Sequence, residues 1–496
     1  MLNFVDTNVA RSMNVLLFID SSVEPVSLEE ITNEIGSVKR TVHTLLELLK
    51  AEVNNCGFSL EEDKNRNYYL VSKEREVDLN IYLLTYGENS LFFVMIKEMF
   101  ERGFINIFDF CSEYYISHPT FSRGKTKLTK ILKLCYLDFT IQKDYKIIGN
   151  EYRQRIFYYK FFEGFYNTLR WPFEKKVKKE IMDLCLFSRA IFFEKMSREK
   201  RHKIYYMLAI MRNRILKGHE VKKINYSFEN HSLYGDIYNF IKQFFEKWSS
   251  QADTRIKQET TFFFCFLYTE NLLSSRNEKF ENLISGAIDN QHMFYLNSLW
   301  INMFTIFFNW TLTEEQKINW FQELTNIHLM LEFIYYDREL FMKKKYQNES
   351  LNFDENIYKK TEYFVSHLLT NKFYFNYKEK NLKNISILKI IDHYYYYIYK
   401  FLISEKKNDF VTLFVSHSIE IIEKQILEKK LKLLFGEKLK IYQALEKDVE
   451  LVVTSRNVDI FKAKSVVVYS VSDPRDFKKI VSTVERTLYS KAFDIS

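Results

Sequence analysis

From Val26 to Lys50 the chain reads VSLEEITNEIGSVKRTVHTLLELLK, and its apolar residues fall at helical spacing in two runs. Leu28, Ile31 and Ile35 recur at intervals of three and four, and Val42, Leu45, Leu46 and Leu49 form a second stripe. Ser27 is placed to cap the first helix, with Glu29 and Glu30 in the first turn, where the helix dipole favours acids. Gly36 breaks the run, and Ser37 is expected to cap a second helix from Val38 to about Lys50. Lys39, Arg40, Thr41, His43 and Thr44 project from the polar side of that helix, near its start. The following GFSLEEDKNRNYYLV has apolar ends and a charged middle, the pattern of a two-stranded wing. Two short helices, a glycine turn and a polar face at the start of the second predict a helix-turn-helix, with an ordinary helical hairpin as the alternative.

The same layout returns further on. Ile107–Tyr115 (IFDFCSEYY) is the candidate first helix and Ile116–His118 the turn. Pro119–Leu134 (PTFSRGKTKLTKILKL) is the candidate second helix, with Pro119 where a first-turn proline is tolerated. Between Ser117 and Lys133 stand Arg123, Lys125, Lys127, Lys130 and Lys133, with no acidic residue among them. Ser117, Thr120, Ser122 and Thr126 add short hydroxyls suited to phosphate contacts. Such a basic cluster neutralises phosphates, and affinity built that way falls steeply with salt. A merely solvated basic face is the alternative, and two similar units in one chain weigh against it. LDFTIQKDYKIIGNEYRQRIFYYKFF then reads as a second wing leading into a helix.

From about Phe165 to Phe401 the helical pattern is almost unbroken, in two stretches of similar size, with boundaries expected near Ser275–Asn282 and Gln347–Asn356. The last segment changes character. Phe410–Ser416 (FVTLFVS) reads as a buried strand and Ile419–Phe435 as an amphipathic helix with a lysine-rich face. Leu439–Leu445, Val449–Thr454 and Ser465–Ser472 read as further strands, and Pro474–Ser490 as a closing helix. Strands rich in Val and Ile that alternate with helices predict a small α/β domain with a parallel sheet.

Composition narrows the class. At 496 residues the chain exceeds one core, and roughly three to five domains are expected. Only 11 glycines and 4 prolines occur, which argues against barrels, sandwiches and glycine-looped nucleotide sites and leaves a mainly α, multidomain protein. The formal charge of +8 is mild for this length, so its distribution matters more than its sum. Cys56, Cys111, Cys135, Cys185 and Cys265 are scattered, with no CxxC pair and no Cys/His cluster, which fits a reducing cytoplasm and predicts no metal. The N-terminal segment lacks a signal layout, and the apolar runs Thr260–Tyr268 and Leu299–Trp310 are shorter than the roughly 20 residues of a spanning helix. A soluble cytoplasmic protein without membrane contact is therefore expected. No P-loop, dinucleotide fingerprint, HExxH or nucleophile elbow occurs, and no catalytic constellation can be assembled, so neither enzyme nor cofactor is expected.

Of the ten histidines, two stand in informative settings. His202 is flanked by Arg198, Lys200, Arg201 and Lys203, so a phosphoryl group there would gain charge-assisted partners. His393 follows Asp392 and precedes four tyrosines, so a phosphoryl group there would meet a carboxylate and an aromatic face. An ordinary structural role is the alternative for both.

In the order of its parts, nearly the whole chain resembles the Mga/AtxA family of virulence gene regulators of Gram-positive bacteria. The resemblance is best around VSLEEITNEIGSVKRTVHTLLELL and around SHPTFSRGKTKLTKILKLCYLDFTIQKDYKIIGNEYRQRIFYYKFF. The second stretch follows the family's helix-turn-helix, wing and I-x-G-x-E-x-x-x-R sequence, here Ile147, Gly149, Glu151 and Arg155. The resemblance implies five domains. These are winged helix-turn-helix domains at 1–73 and 74–163, helical-bundle PTS (phosphotransferase system) regulation domains at 164–282 and 283–404, and a domain like PTS IIB at 405–496. It implies one phosphorylatable histidine in each regulation domain, His202 and His393, with His219 and His367 in reserve. The donor would be the histidine phosphocarrier protein of the sugar phosphotransferase system. One departure is plain: a IIB domain used in transport carries a cysteine after its first strand, and here the loop is Ser416–His417–Ser418, which excludes transfer through a thiol.

The resulting expectation is a homodimeric, DNA-binding transcription regulator on double-stranded promoter DNA, a virulence-gene activator tuned by histidine phosphorylation. Its expected contacts are Thr120, Ser122, Arg123, Lys125, Lys127 and Lys130 on the second helix-turn-helix, assisted by Lys39, Arg40, Thr41 and His43 on the first. An RNA-binding antiterminator that shares the regulation domains is one alternative; the winged-helix patterns speak against it. A helical scaffold that binds only proteins is the other, and it predicts no salt-dependent nucleic-acid binding.

Overall fold

The three-dimensional description rests on a computed structural model of the chain. It describes all residues except 23, 73–76, 141–143, 189–192, 194–195, 223, 225–227, 230–232, 249–252, 271, 273–290, 335–354, 384, 406–409, 417–418, 420, 443, 445–448, 455–462, 469–472 and 493–496. The chain divides into two units, 1–350 and 351–496.

The first unit opens with α1 (Thr7–Asp20), which the sequence pattern did not announce. β1 (Val26–Ser27) leads into α2 (Leu28–Ile35). Ser27 caps α2 as expected, and the cap is reciprocal. Its hydroxyl accepts from the Glu30 N–H at 3.3 Å while the Glu30 carboxylate takes the Ser27 N–H at 2.9 Å. Gly36 ends α2 in the left-handed region at φ +63°, which favours glycine there. α3 then runs Lys39–Asn54. Its N-cap is Val38 rather than Ser37, since the first helical bond closes on the Val38 carbonyl from the Val42 N–H at 3.2 Å, while the Ser37 N–H closes α2 on the Thr32 carbonyl at 3.2 Å. β2 (Phe58–Glu62) and β3 (Asn67–Ser72) form the antiparallel wing, and β1 pairs on the other side of β3.

α4 (Leu79–Gly87) and α5 (Leu91–Glu101) precede the second unit of this kind, which comprises β4 (Ile105–Asn106), α6 (Ile107–Glu113) and α7 (His118–Leu134). α6 is shorter than the expected 107–115, since Tyr115 turns to φ +54° and ends it. α7 starts one residue before Pro119, with Ser117 as its N-cap accepting from Thr120 N–H at 3.3 Å. The wing consists of β5 (Asp138–Phe139), β6 (Asp144–Tyr145) and β7 (Ile147–Ile148), with β4 paired to β6 and β5 to β7. Gly124 lets α7 approach α5: a Cβ there would lie 2.7 Å from Leu91 Cδ2.

α8 (Glu151–Tyr166) leaves the wing and enters a helical body of α9 (Lys175–Ser188), α10 (Arg198–Leu216), α11 (Tyr234–Trp248), α12 (Asp253–Thr269), α13 (Gln291–Phe307) and α14 (Glu314–Leu329). α10 packs on α8 and α9, α11 on α12, and α13 on α14. Trp300 and Trp320 are fully buried at the α13–α14 contact, with ring centroids 5.2 Å apart.

His328, at the end of α14, is fully buried and donates its Nδ1–H to the Asn297 side-chain oxygen at 2.7 Å. Burial holds its pKa down to about 3, against an ordinary value of 6.5. A base whose folded pKa is depressed contributes stability that is fully present above its unfolded pKa and is lost as pH falls toward the folded one. Between pH 7.5 and 5 the unfolding free energy is therefore expected to drop by about 2 kcal/mol through this residue. His202 and His219, also held low by burial, act in the same direction. A thermal midpoint that stays constant over that range would contradict this.

The second unit holds α15 (Glu355–Thr370), α16 (Lys372–Asn381) and α17 (Ile387–Glu405), with the buried Tyr374 and Tyr394 hydroxyls 3.0 Å apart. After them come β8 (Val411–Val415), α18 (Ile421–Phe435), β9 (Leu439–Tyr442), β10 (Leu451–Thr454), β11 (Lys464–Val467) and α19 (Pro474–Ala492). The sheet order is β11-β10-β8-β9 and every pairing is parallel, as the sequence pattern predicts. Val411, Leu413, Leu451 and Val453 of the strands are buried with Leu427, Leu431, Ile480 and Val484 of α18 and α19. Of the expected strands 439–445 and 465–472, β9 covers Leu439–Tyr442 and β11 starts one residue early and covers Lys464–Val467, while 443, 445 and 469–472 lie outside the described residues. His417 and Ser418 lie outside the described residues, as does the expected boundary 275–282 and all of 347–356 but Glu355 and Asn356.

Among the described residues no helix is long and apolar enough to cross a membrane, and no group of His, Cys, Asp or Glu could hold a metal ion.

Candidate nucleic-acid interface

α7 buries Phe121, Gly124, Leu128, Ile131 and Leu132. At 100° per residue, the opposite face carries Arg123, Thr126, Lys130 and Lys133, all exposed. Among the described residues no carboxylate lies within ion-pair distance of any of the five basic residues of this helix. Their charge is therefore not neutralised by an ion pair among the described residues. Lys125 and Lys127 stand on the flanks: the Lys125 ammonium lies 4.8 Å from the Tyr145 ring of the wing and the Lys127 ammonium 4.6 Å from the Phe92 ring of α5. Ser122 is exposed and Thr120 half-buried.

Three hydroxyls proposed for phosphate are used locally. Ser117 caps the helix and shares a 2.8 Å hydrogen bond with Thr120, and Thr126 donates to the Ser122 carbonyl at 3.0 Å. The turn ahead of α7 presents Tyr115, 97% exposed, and the start of α6 presents Phe108, 75% exposed and edge-on to His118. Neither aromatic figured among the sequence candidates, because an apolar residue in a short helix reads as core.

On α3, Lys39, Arg40, Thr41 and His43 are all exposed, as expected. Lys39 differs from the cations of α7 in having a partner, the Glu29 carboxylate of α2 at 3.3 Å. α3 thus carries one cation that is partly neutralised by a neighbouring helix.

Residues 75–162 match the Mga helix-turn-helix domain. No curated protein matches the chain. The matched span begins just before α4, takes in α5, α6, α7 and the wing, and ends within α8, so it supports a DNA-binding transcription regulator of the Mga kind. The basic line of α7 lies inside this Mga domain.

The I-x-G-x-E-x-x-x-R residues sit at the exit of the Mga domain and have structural partners. Ile147 is buried and pairs with Phe139. Gly149 adopts φ +137°, and a Cβ there would lie 2.7 Å from Leu137 Cδ2. Glu151 accepts from Arg155 Nε at 3.0 Å and from Arg214 Nη2 at 2.6 Å. Arg155 is completely buried; its Nη2 donates to Glu259 at 2.9 Å and to the His219 carbonyl at 3.0 Å, and its Nη1 also donates to Glu259. Gln154 adds a link, accepting from Arg214 at 2.9 Å and donating to the Gly149 carbonyl at 3.1 Å. Burial pushes the Glu151 carboxyl up, but Arg214 and Arg155 outweigh it and hold the group below the usual carboxylate range. Two arginines and two glutamates thus tie α8 to α10 and α12. Because these partners are distant in sequence, no local signal pointed to them.

α8 and α10 run antiparallel, joined at one end by Glu151 and Arg214 and at the other by His202. His202, half-buried, donates its Nε2–H to the Asn167 carbonyl at 2.8 Å, and the Tyr206 hydroxyl donates to the same oxygen at 3.0 Å. That bond leaves Nδ1 as the nitrogen that carries the lone pair. Burial, together with repulsion from Lys178 and Arg198, holds the imidazole below its ordinary pKa despite the Asn167 bond, so it is neutral at pH 7. His393, half-buried on α17, hydrogen-bonds through Nδ1 to the Lys389 carbonyl at 3.0 Å, and its neighbour Asp392 accepts from the Tyr358 hydroxyl at 3.0 Å. Of the reserves, His219 lies just beyond α10 and His367 on α15, and both are exposed.

Proposed function

We propose that this chain is a homodimeric transcription regulator that binds double-stranded promoter DNA chiefly through α7, with activity tuned by histidine phosphorylation. The observation that carries the DNA assignment is the exposed, unneutralised basic line of Arg123, Lys130 and Lys133 within the Mga domain. A line of cations with few base-reading side chains favours phosphate contacts and a readout of DNA shape. α3 assists through Arg40, Thr41, His43 and Lys39.

The five-domain reading assigns two winged helix-turn-helix domains, PTS regulation domains at 164–282 and 283–404, and a IIB-like domain from 405. The parallel sheet β11-β10-β8-β9 supports the last of these. His202 and His393 are the proposed acceptors. The neutral imidazole attacks the phosphorus of the phosphorylated histidine carrier protein, the N–P bond of the donor breaks, and a new N–P bond forms on the regulator. For His202 the nucleophile is Nδ1, and the added charge of about −1.5 to −2 meets Arg198 and Lys178. At His393 the same charge meets Asp392 and weakens a dimer contact. Virulence-gene activation and a cytoplasmic location belong to the same reading.

Equilibrium binding of the full chain to an AT-rich duplex at several salt concentrations tests the DNA assignment. Steeply salt-dependent affinity is expected, and no binding at low salt would hand the assignment to a protein-binding scaffold. Glutamate and alanine at His202 and His393 test the switch. Dimerisation and promoter output should move in opposite directions for the two substitutions at a site, and wild-type behaviour in all four variants would remove it.

A further inference from the structure

Residues of α9 and α10 line a cavity of about 820 Å³ beside His202. Its polar wall comprises Lys178, Arg198, Arg201 and Glu199, a net charge of +2 (three cations less one carboxylate) with the imidazole neutral. Among the described residues neither Lys178 nor Arg198 has a carboxylate within ion-pair distance. Both are close enough to His202 to depress its pKa. The remaining wall is mostly apolar, formed by Met182, Met196 and Tyr205 with Thr168 beside them. Cavities of roughly 300–1,000 Å³ with apolar walls and a few convergent polar groups are the usual form of a small-ligand site. The volume far exceeds a lone phosphate, and the wall asks for two negative charges next to an apolar body.

We propose that this cavity binds a small phosphomonoester non-covalently, and that the second winged helix senses its occupancy through the α8–α10 pair. The phosphate dianion is held by Lys178 and Arg198, while the organic part lies against Met182 and Met196. His202 lines the cavity and also holds the Asn167 carbonyl at the end of α8. At the other end of α10, Arg214 grips Glu151, and the Lys217 ammonium donates to the carbonyls of Phe100 and Glu101 that end α5. A ligand that draws on the His202 end of α10 therefore acts on a helix fastened to the DNA-binding domain. This coupling rests on the DNA-binding reading given above; the cavity itself does not.

Isothermal titration of the full chain with phenyl phosphate, beside phenol and inorganic phosphate, tests the site. Phenyl phosphate is expected to bind at least tenfold more tightly than either comparator. The double variant Lys178→Gln, Arg198→Gln should weaken it at least tenfold, whereas Lys178→Arg, Arg198→Lys should retain it and act as the folding control. His202→Gln should still bind, which separates a bound monoester from a phosphoryl group carried on the imidazole. Absent binding by wild type, equal binding of inorganic phosphate, or unchanged binding by the double glutamine variant overturns the site. In a parallel DNA titration phenyl phosphate should shift wild-type affinity at least threefold and leave the double glutamine variant unmoved. Ligand binding with unaltered DNA affinity overturns the coupling. Ligand binding without any DNA binding sinks the DNA reading instead, and DNA binding without ligand binding sinks the cavity alone.

Discussion

Replacing Arg155 by methionine should cost the fold about 3–5 kcal/mol, the usual penalty for leaving a buried charge without its partner. The partner stranded is Glu259. With Arg155 present it receives two guanidinium hydrogen bonds, and without it, among the described residues, only the Val221 N–H at 3.0 Å. Glu151 suffers less, since Arg214 still holds it through two nitrogens. The double variant Arg155→Met, Glu259→Met should recover most of the loss, because an apolar pair of similar volume replaces the buried ions without leaving one uncompensated. Denaturant midpoints of the two variants check this. If the single variant is as stable as wild type, the Arg155–Glu259 bridge does not hold α8 to α12.

The largest effect on binding is expected from Arg123→Ala, Lys130→Ala and Lys133→Ala together. Removing a cation that neutralises one phosphate reduces the slope of log affinity against log salt by roughly 0.9, so three removals should lower it by about 2.7. Affinity at physiological salt should drop on the order of a hundredfold. All three side chains are exposed, so stability should change by no more than about 0.5 kcal/mol. Alanine at Lys39 and Arg40 should have a smaller effect, since Lys39 already has Glu29 beside it. Alanine at Lys125 and Lys127 should also do less, because those ammonium groups lie over Tyr145 and Phe92 on the flanks of the helix. An affinity decrease concentrated in the Lys125 and Lys127 variant would place the DNA on a different face.

The helix pairs α2–α3 and α6–α7 were legible because their signals are local. Ser27 and Glu30 lie three residues apart and form their cap within one turn, and Gly36 supplies the positive φ that ends α2. The wing of the first unit reads from its apolar ends, and the parallel strands read from their Val-rich runs. α4 and α5 escaped notice for the opposite reason. LNIYLLTYG and LFFVMIKEMFE bury most of their surface, so no polar face marks a period. At the interface, the basic cluster of α7 was visible. Its division into an outward line and two flanking lysines needed the helix register fixed by Gly124 against Leu91. The Arg155–Glu259 contact spans 104 residues and leaves no trace in local pattern. Charged residues at such positions look like solvated surface until the fold brings them together.

The most direct measurement of whether α7 meets DNA is cleavage of a promoter duplex by an iron chelate attached at a Thr126→Cys variant. All five native cysteines are buried, so the reagent can be confined to the introduced thiol. Thr126 lies on the outward line and its hydroxyl bonds only within its own helix, so the substitution leaves the fold intact. Strand scission clustered at one groove position in the bound duplex is the predicted result, with background scission from the same reagent at Glu314→Cys on α14. Equal and diffuse scission from both positions would contradict α7 as the DNA contact.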